Sequence, residues 1–284
     1  MPGKVTRLML KVDEVMSYKP VRFIGYALTF IVVCFVVFAP IFYIFYYTWR
    51  WWSYSPYTLD PTEGVQYQFF YSTANVSRNF IESLINSVLI ATVVTMIGLA
   101  VGVPAGFFLA RKKVRGITFL DTLTNVPLIV PSSALGFAVY LFWGSAKGLS
   151  LIPPGLWLII LAHTVFTTPY VIRSVYAQLM NYDISLEEAA RVLGASPFKS
   201  FTTVTLPVIR PGIISGAILA FTRSLGETGA TLVVMGPVKT VPVLIVDLVE
   251  QHLWPAAAFA ASILMFISFS FTITFNYLAA RTGK

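Results

Sequence analysis

Residues 185–207 read SLEEAARVLGASPFKSFTTVTLP, a polar elbow set between two apolar tracts. Ser185-Leu186-Glu187-Glu188 has the form of a capping box, in which the serine accepts from the Glu188 amide and the glutamate side chain reaches back. Residues 186–193 are good helix formers, and Gly194 suits a left-handed stop. Ser196-Pro197 reads as the cap and first turn of a second short helix. Leu206-Pro207 closes the segment. The spacing predicts a compact L-shaped projection with Ala189, Ala190, Val192 and Leu193 on a surface that no membrane covers.

Outward from this elbow the chain is written for lipid. Of its 284 residues 57% are hydrophobic and 11% charged, where soluble globular chains run near 45–50% apolar and about 25% charged. So few charges cannot solvate a water-facing exterior. A helix needs about 20 apolar residues to cross a hydrocarbon core of about 30 Å. Six stretches meet or approach that length: 23–47, 80–110, 117–143, 155–171, 212–234 and 255–280. The runs are long and do not alternate, which selects helices over a membrane barrel. The third carries Asp121, Asn125, Pro127 and Pro131 and is expected to kink. The expected fold class is therefore an all-α polytopic membrane protein with six transmembrane helices.

The basic residues set its orientation. Lys4, Arg7, Lys11, Lys19, Arg22, Arg111, Lys112, Lys113, Arg115, Arg173, Arg191, Lys199, Arg210, Arg281 and Lys284 fall on one side, against Arg50, Arg78, Lys147 and Lys239 on the other. Both termini are thus expected in the cytoplasm, and the net charge of +8 needs no nucleic acid. The predicted organisation is a cytoplasmic segment 1–22, a six-helix domain 23–280 with its cytoplasmic loop at 173–211, and a tail 281–284. The first apolar run exceeds a signal-peptide core of about 7–15 residues, so the first helix is expected to be retained. In the outer loop 48–79, Trp49, Trp51 and Trp52 read as an interfacial aromatic belt. The single cysteine, Cys34, permits no internal disulfide and no cysteine-based metal site.

Glu188-Ala189-Ala190, then three residues and Gly194, then nine residues and Val204-Thr205-Leu206-Pro207, closely resembles the EAA loop of membrane subunits of binding-protein-dependent ABC importers. That family usually has isoleucine where Val204 stands. The six-span layout extends the resemblance over nearly the whole chain. It implies a type I importer permease fold in the cell membrane. It further implies that Glu188, Ala189, Ala190, Gly194, Leu206 and Pro207 couple the chain to a separate ABC ATPase subunit. A second permease subunit, identical or related, and an extracytoplasmic solute-binding protein are the other implied partners. ATP and Mg would belong to the ATPase, since no G-x-x-x-x-G-K-[ST] occurs here. The chain is not expected to be an enzyme.

Gly98, Gly102 and Gly106 in the second stretch, and Gly212 and Gly216 in the fifth, repeat every four residues, a pattern that lets helix backbones approach closely in lipid. Arg223 and Glu227 read as one turn apart within the fifth stretch. Charges placed there normally face a bundle interior or an aqueous cavity, so they are candidates for the translocation pathway or its gate, or for a structural ion pair. The surrounding Arg223-Ser224-Leu225-Gly226-Glu227-Thr228-Gly229-Ala230-Thr231 is similar to the corresponding segment of sulfate, molybdate and tungstate permeases, which commonly carry an aromatic where Thr228 stands. Phosphate permeases have a similar segment. This implies an oxyanion cargo, with a sugar or other small solute as the alternative. His163 reads as an interior hydrogen bonder rather than a relay. Asp121 is expected to pair with Arg115 or a neighbouring lysine. An ion-coupled carrier using Glu227 is the competing function class. An intramembrane enzyme ranks last, because no His-Glu-x-x-His or Gly-x-Ser-x-Gly is present.

Overall fold

A computed structural model describes residues 18–111 and 115–282. Lys4, Arg7, Lys11, Lys112, Lys113 and Lys284, used above to orient the chain, lie outside the described residues, as does most of the 1–22 segment. Among the described residues five helices are long and apolar enough to cross a membrane, and a bent helix pair makes a sixth crossing if it counts as one. They are α1 (Lys19–Arg50), α2 (Val76–Arg111), the pair α3 (Ile117–Ile129) and α4 (Ser132–Gly144), α5 (Leu156–Met180), α7 (Pro197–Leu225) and α10 (Trp254–Thr282). Between α5 and α7 stands α6 (Ser185–Val192). Between α7 and α10 lie α8 (Gly229–Val234) and α9 (Val241–Glu250).

Proline and glycine explain the departures from six plain rods. The third stretch is not one helix: α3 and α4 meet at an angle of 106°. Val130 is extended at φ −72° and ψ 133° just before Pro131, because a proline ring crowds the α conformation of the residue ahead of it. The fifth stretch, expected at 212–234, instead begins at Pro197 and stops at Leu225, with α8 a separate helix. Leu206-Pro207 therefore does not end the elbow but lies inside a continuous helix. A π-helical turn at Phe201–Thr205 precedes that proline, with the Leu206 amide bonding back to the Phe201 carbonyl. α1 repeats the device with a π turn at Cys34–Phe38 ahead of Pro40. In both, the hydrogen-bond register shifts just where the proline cannot donate. The loop assigned to 173–211 is shorter than that span, because α5 runs on to Met180.

The centre of the bundle is α5, with α2 and α7 against it. Val171, Val175, Leu179, Ile209 and Ala220 form the buried core at that junction. The repeated glycines all turn toward α5. A Cβ on Gly102 would lie 2.8 Å from the Val171 Cβ, and one on Gly216 2.9 Å from the Val171 Cα. A Cβ on Gly106 would lie 2.9 Å from the Ile172 carbonyl oxygen and one on Gly212 2.7 Å from the Ser174 carbonyl oxygen. Gly98 is looser, with its nearest neighbour at 3.7 Å. Two glycine-stepped helices thus clasp one β-branched residue of the third, Val171.

A second core closes the opposite end. Val65, Phe69, Val76 and Phe80 pack with Val241, Leu244 and Leu248 of α9 and with Ala256, Ala257 and Ala260 of α10. Of the tryptophans expected to form the aromatic belt, Trp49 is 72% exposed. Trp51 stacks on Tyr47 at 5.1 Å, and Trp52 meets Phe259 edge-on at 5.5 Å.

Candidate functional site

The elbow is built by local chemistry. Its start differs from the expected capping box: Ser185 makes no cap, and the Asp183 carboxylate accepts from the Ser185 amide at 3.0 Å. The Glu188 amide that the serine was expected to cap bonds instead to the Ile184 carbonyl at 3.1 Å, and the Asp183 carboxylate satisfies the free Ser185 amide ahead of it. That amide bond, with the Ser185 hydroxyl second, holds the Asp183 carboxyl below the usual carboxylate range. A depressed pKa means the cap's contribution is present above the ordinary pKa and is lost as pH falls through the depressed one. Asp183→Ala is therefore expected to speed backbone amide exchange across Ser185, Leu186 and Glu187 at neutral pH, and acid is expected to do the same to the parent chain. Ser185→Ala is expected to have the smaller effect.

Gly194 ends α6 at φ +90°, in open space, the left-handed geometry that glycine adopts without strain. Ser196 then caps α7 by accepting from the Lys199 amide at 3.3 Å, with Pro197 in the first turn. The elbow offers an apolar tip: Val192 is 87% exposed, Leu193 88% and Phe198 76%. Glu188 and Ala189 are also exposed, and Ala190 is half-buried. Leu206 is partly exposed at the root of the elbow.

The carboxylate that ties the elbow down is not Glu188 but Glu187. It takes Arg111 at 3.2 Å and Arg191 at 2.7 Å, and the Thr205 hydroxyl donates to it at 3.2 Å. Sequence reasoning missed it because its buried partner, Arg111, is 76 positions away. Asp121 likewise pairs at a distance: it takes Arg173 of α5 at 2.7 Å, not Arg115. Arg173 also donates to the Asp121 carbonyl and to Thr124 at 2.7 and 2.9 Å.

The second cluster lies where α7 breaks. Arg223 is in the last turn of α7, and Glu227 follows the helix end at Gly226. The two side chains form an ion pair. They do so across a break rather than along one helix face. Glu227 is 2% exposed and accepts from the Ala230 amide at 3.0 Å, while the Arg223 side chain keeps 36% of its surface open and lies 5.0 Å above the Phe166 ring. Behind them His163 is buried, with Nδ1 2.8 Å from the Ser224 hydroxyl and Nε2 2.8 Å from the Thr231 hydroxyl. Both ring nitrogens are used, so His163 stitches α5 to α7 and α8.

Residues 102–284 match the family described as binding-protein-dependent transport system inner membrane component. The chain belongs to this family. It is the membrane-embedded permease subunit of an ABC importer, and the family is one of permeases without catalytic sites. Among relatives, the molybdate/tungstate transport system permease protein of Pyrococcus furiosus is 35% identical over 206 residues, covering 71% of this chain and 79% of the relative. The sulfate transport system permease protein of Escherichia coli is 32% identical over 196 residues, covering 64% and 70%. The solved structure of a bacterial ABC transporter involved in import of the acidic polysaccharide alginate superposes with a TM-score of 0.72 at 16% identity, over 98% of this permease and all of that chain. That likeness is one of fold, and it extends beyond the 102–284 match to α1 and most of α2.

Proposed function

We propose that this permease forms half of an oxyanion conduit, with molybdate, tungstate or sulfate as cargo, driven by an ATPase on a separate subunit. The observation that carries the cargo is its kinship with molybdate/tungstate and sulfate permeases at 32–35% identity. What supports the coupling is the elbow itself, an apolar tip on a braced turn. A soluble face carrying Val192, Leu193 and Phe198 this exposed suits burial against a partner. Glu188, Ala189, Ala190 and Gly194 are assigned to that contact, and Leu206 and Pro207 to the root that delivers its motion into α7. A second permease subunit, another copy or a related chain, completes the pathway, and a solute-binding protein delivers cargo to the opposite face. Both termini lie in the cytoplasm on this reading. Arg223, open on one side and backed by Glu227 on the other, is assigned to the pathway or its gate. ATP binding and cargo binding then favour different states of one two-state assembly, which is all that alternating access requires.

The test is uptake by the complex of this permease with its ATPase and binding protein, in proteoliposomes, across molybdate, tungstate, sulfate, phosphate and a sugar panel. ATP-dependent uptake of a tetrahedral oxyanion is expected. Sugar uptake alone, or uptake driven by an ion gradient without any ATPase, would sink the proposal. Glu188→Ala and Gly194→Val are expected to lower transport at least tenfold while membrane insertion stays normal.

A further inference from the structure

The elbow is joined covalently to α5 and α7 but not to α2. Among the described residues its ion-pair link to α2 runs through one carboxylate, beside an edge-on ring contact of Phe107 with Phe201 at 5.7 Å. Glu187 immediately precedes the Glu188-Ala189-Ala190 run, and its side chain is 13% exposed where the elbow's tip is open. Arg111, in the last turn of α2, donates to its Oε2 at 3.2 Å. Arg191, one turn along α6, donates to its Oε1 at 2.7 Å. Thr205, in the π turn of α7, donates to Oε2 at 3.2 Å, and the Ser200 hydroxyl donates to the Glu187 carbonyl at 3.3 Å. The fourth segment, just past α5, supplies Tyr182, whose ring lies 4.8 Å from the Arg111 guanidinium and whose hydroxyl is 3.4 Å from that of Thr205. The signs are favourable on both helices, a cation at the C-terminal end of α2 and an anion in the first turn of α6.

We propose that Glu187 is a positioning residue for coupling: it makes the elbow and the inner end of α2 a single mechanical body, so that a displacement of α6 moves α2 together with α5 and α7. The glycine-stepped contact of α2 with α5 then carries that displacement up the bundle. Without the carboxylate the elbow still docks, but it pivots about α2 instead of pulling it. Hydrolysis goes on and transport does not follow. This rests on the coupling reading above and adds a residue that faces inward rather than toward the ATPase.

The experiment measures cargo imported per ATP hydrolysed by the reconstituted complex, with radiolabelled molybdate and sulfate as probes. Glu187→Gln keeps the shape and removes the charge. ATPase co-purification and hydrolysis are expected to persist while the ratio falls about tenfold. Arg111→Gln is expected to give the same fall, and the double variant no more than either single one, because all three break one link. If E187Q does not assemble, Arg111→Gln supplies the same readout. A purely structural role would lower uptake and hydrolysis together, in step with thermal stability, and leave the ratio unchanged. That result beside an active wild type overturns this proposal alone. A wild-type complex that hydrolyses ATP yet imports neither anion overturns the functional reading, and this proposal with it.

Discussion

Arg223→Ala is expected to destabilise the bundle by about 3–5 kcal/mol, the usual cost of leaving a buried charge without its partner. Glu227 is the partner left behind, and its side chain is 2% exposed where that of Arg223 is 36%. The Ala230 amide at 3.0 Å and the Ser132 hydroxyl remain to it, but two neutral donors do not replace a cation. Glu227→Gln should cost much less, about 1–2 kcal/mol. The amide can keep the Ala230 bond, and the guanidinium thereby freed already has 36% of its surface open and rests on Phe166. The asymmetry between the two variants is the prediction, and it follows from unequal burial of the two partners. Removing both side chains together should cost less than Arg223→Ala alone, since no orphan charge remains. Thermal unfolding of the detergent-solubilised chain and its three variants measures all of this. An Arg223→Ala variant no less stable than Glu227→Gln would show that Glu227 escapes its burial or is neutralised. The same comparison run on transport separates the roles, because a pathway cation is needed for flux even where the fold tolerates its loss.

Much of this arrangement was legible in the residues. Hydropathy located the spans, and Gly194, Ser196 and Pro197 announced the corner of the elbow, because each acts through its own backbone or its nearest amides. The misses share a cause. The boundary between α7 and α8 is invisible to hydropathy, since Leu232, Val233 and Val234 continue the apolar run past the break at Gly226. The 106° bend at Val130-Pro131 was expected only as a kink, because a proline says where a helix is weakened and not how far neighbours let it fold back. The capping box failed because the helix starts one residue earlier than the pattern assumes, so the Glu188 amide bonds to the Ile184 carbonyl at 3.1 Å and leaves the Ser185 hydroxyl nothing to cap. Glu187 was given no partner and Asp121 the wrong one, because Arg111 and Arg173 come from other helices. Local chemistry fixes turns and caps. Which of two adjacent glutamates faces the protein is decided by packing.

The glycine steps give the second large effect, and one whose order is fixed in advance. Gly216→Leu is expected to prevent α7 from seating on α5 and to abolish the folded bundle. Gly216→Ala already places a methyl 2.9 Å from the Val171 Cα, and Gly212→Ala one 2.7 Å from the Ser174 carbonyl oxygen. Both obstacles are backbone, so the added carbon is accommodated only by moving whole helices apart, an overpacking cost of about 1–3 kcal/mol. Gly102→Ala meets the Val171 side chain at 2.8 Å, but a β-branched residue has little rotamer freedom in a helix, so it belongs with the costly pair. Gly98→Ala is different. Its nearest atom is the Val171 Cγ2 at 3.7 Å, an ordinary contact, and alanine is the better helix former by about 1 kcal/mol. That substitution should be neutral or stabilising. In lipid there is no hydrophobic gain from bringing two helices together, so close backbone approach is itself the source of affinity. Lost separation is then lost association, not merely strain. Melting curves of the four alanine variants in detergent should place Gly98→Ala at or above the parent and the other three below it. If all four fall together, a general dependence of α2 and α7 on glycine flexibility explains the pattern, and the clasp around Val171 does not.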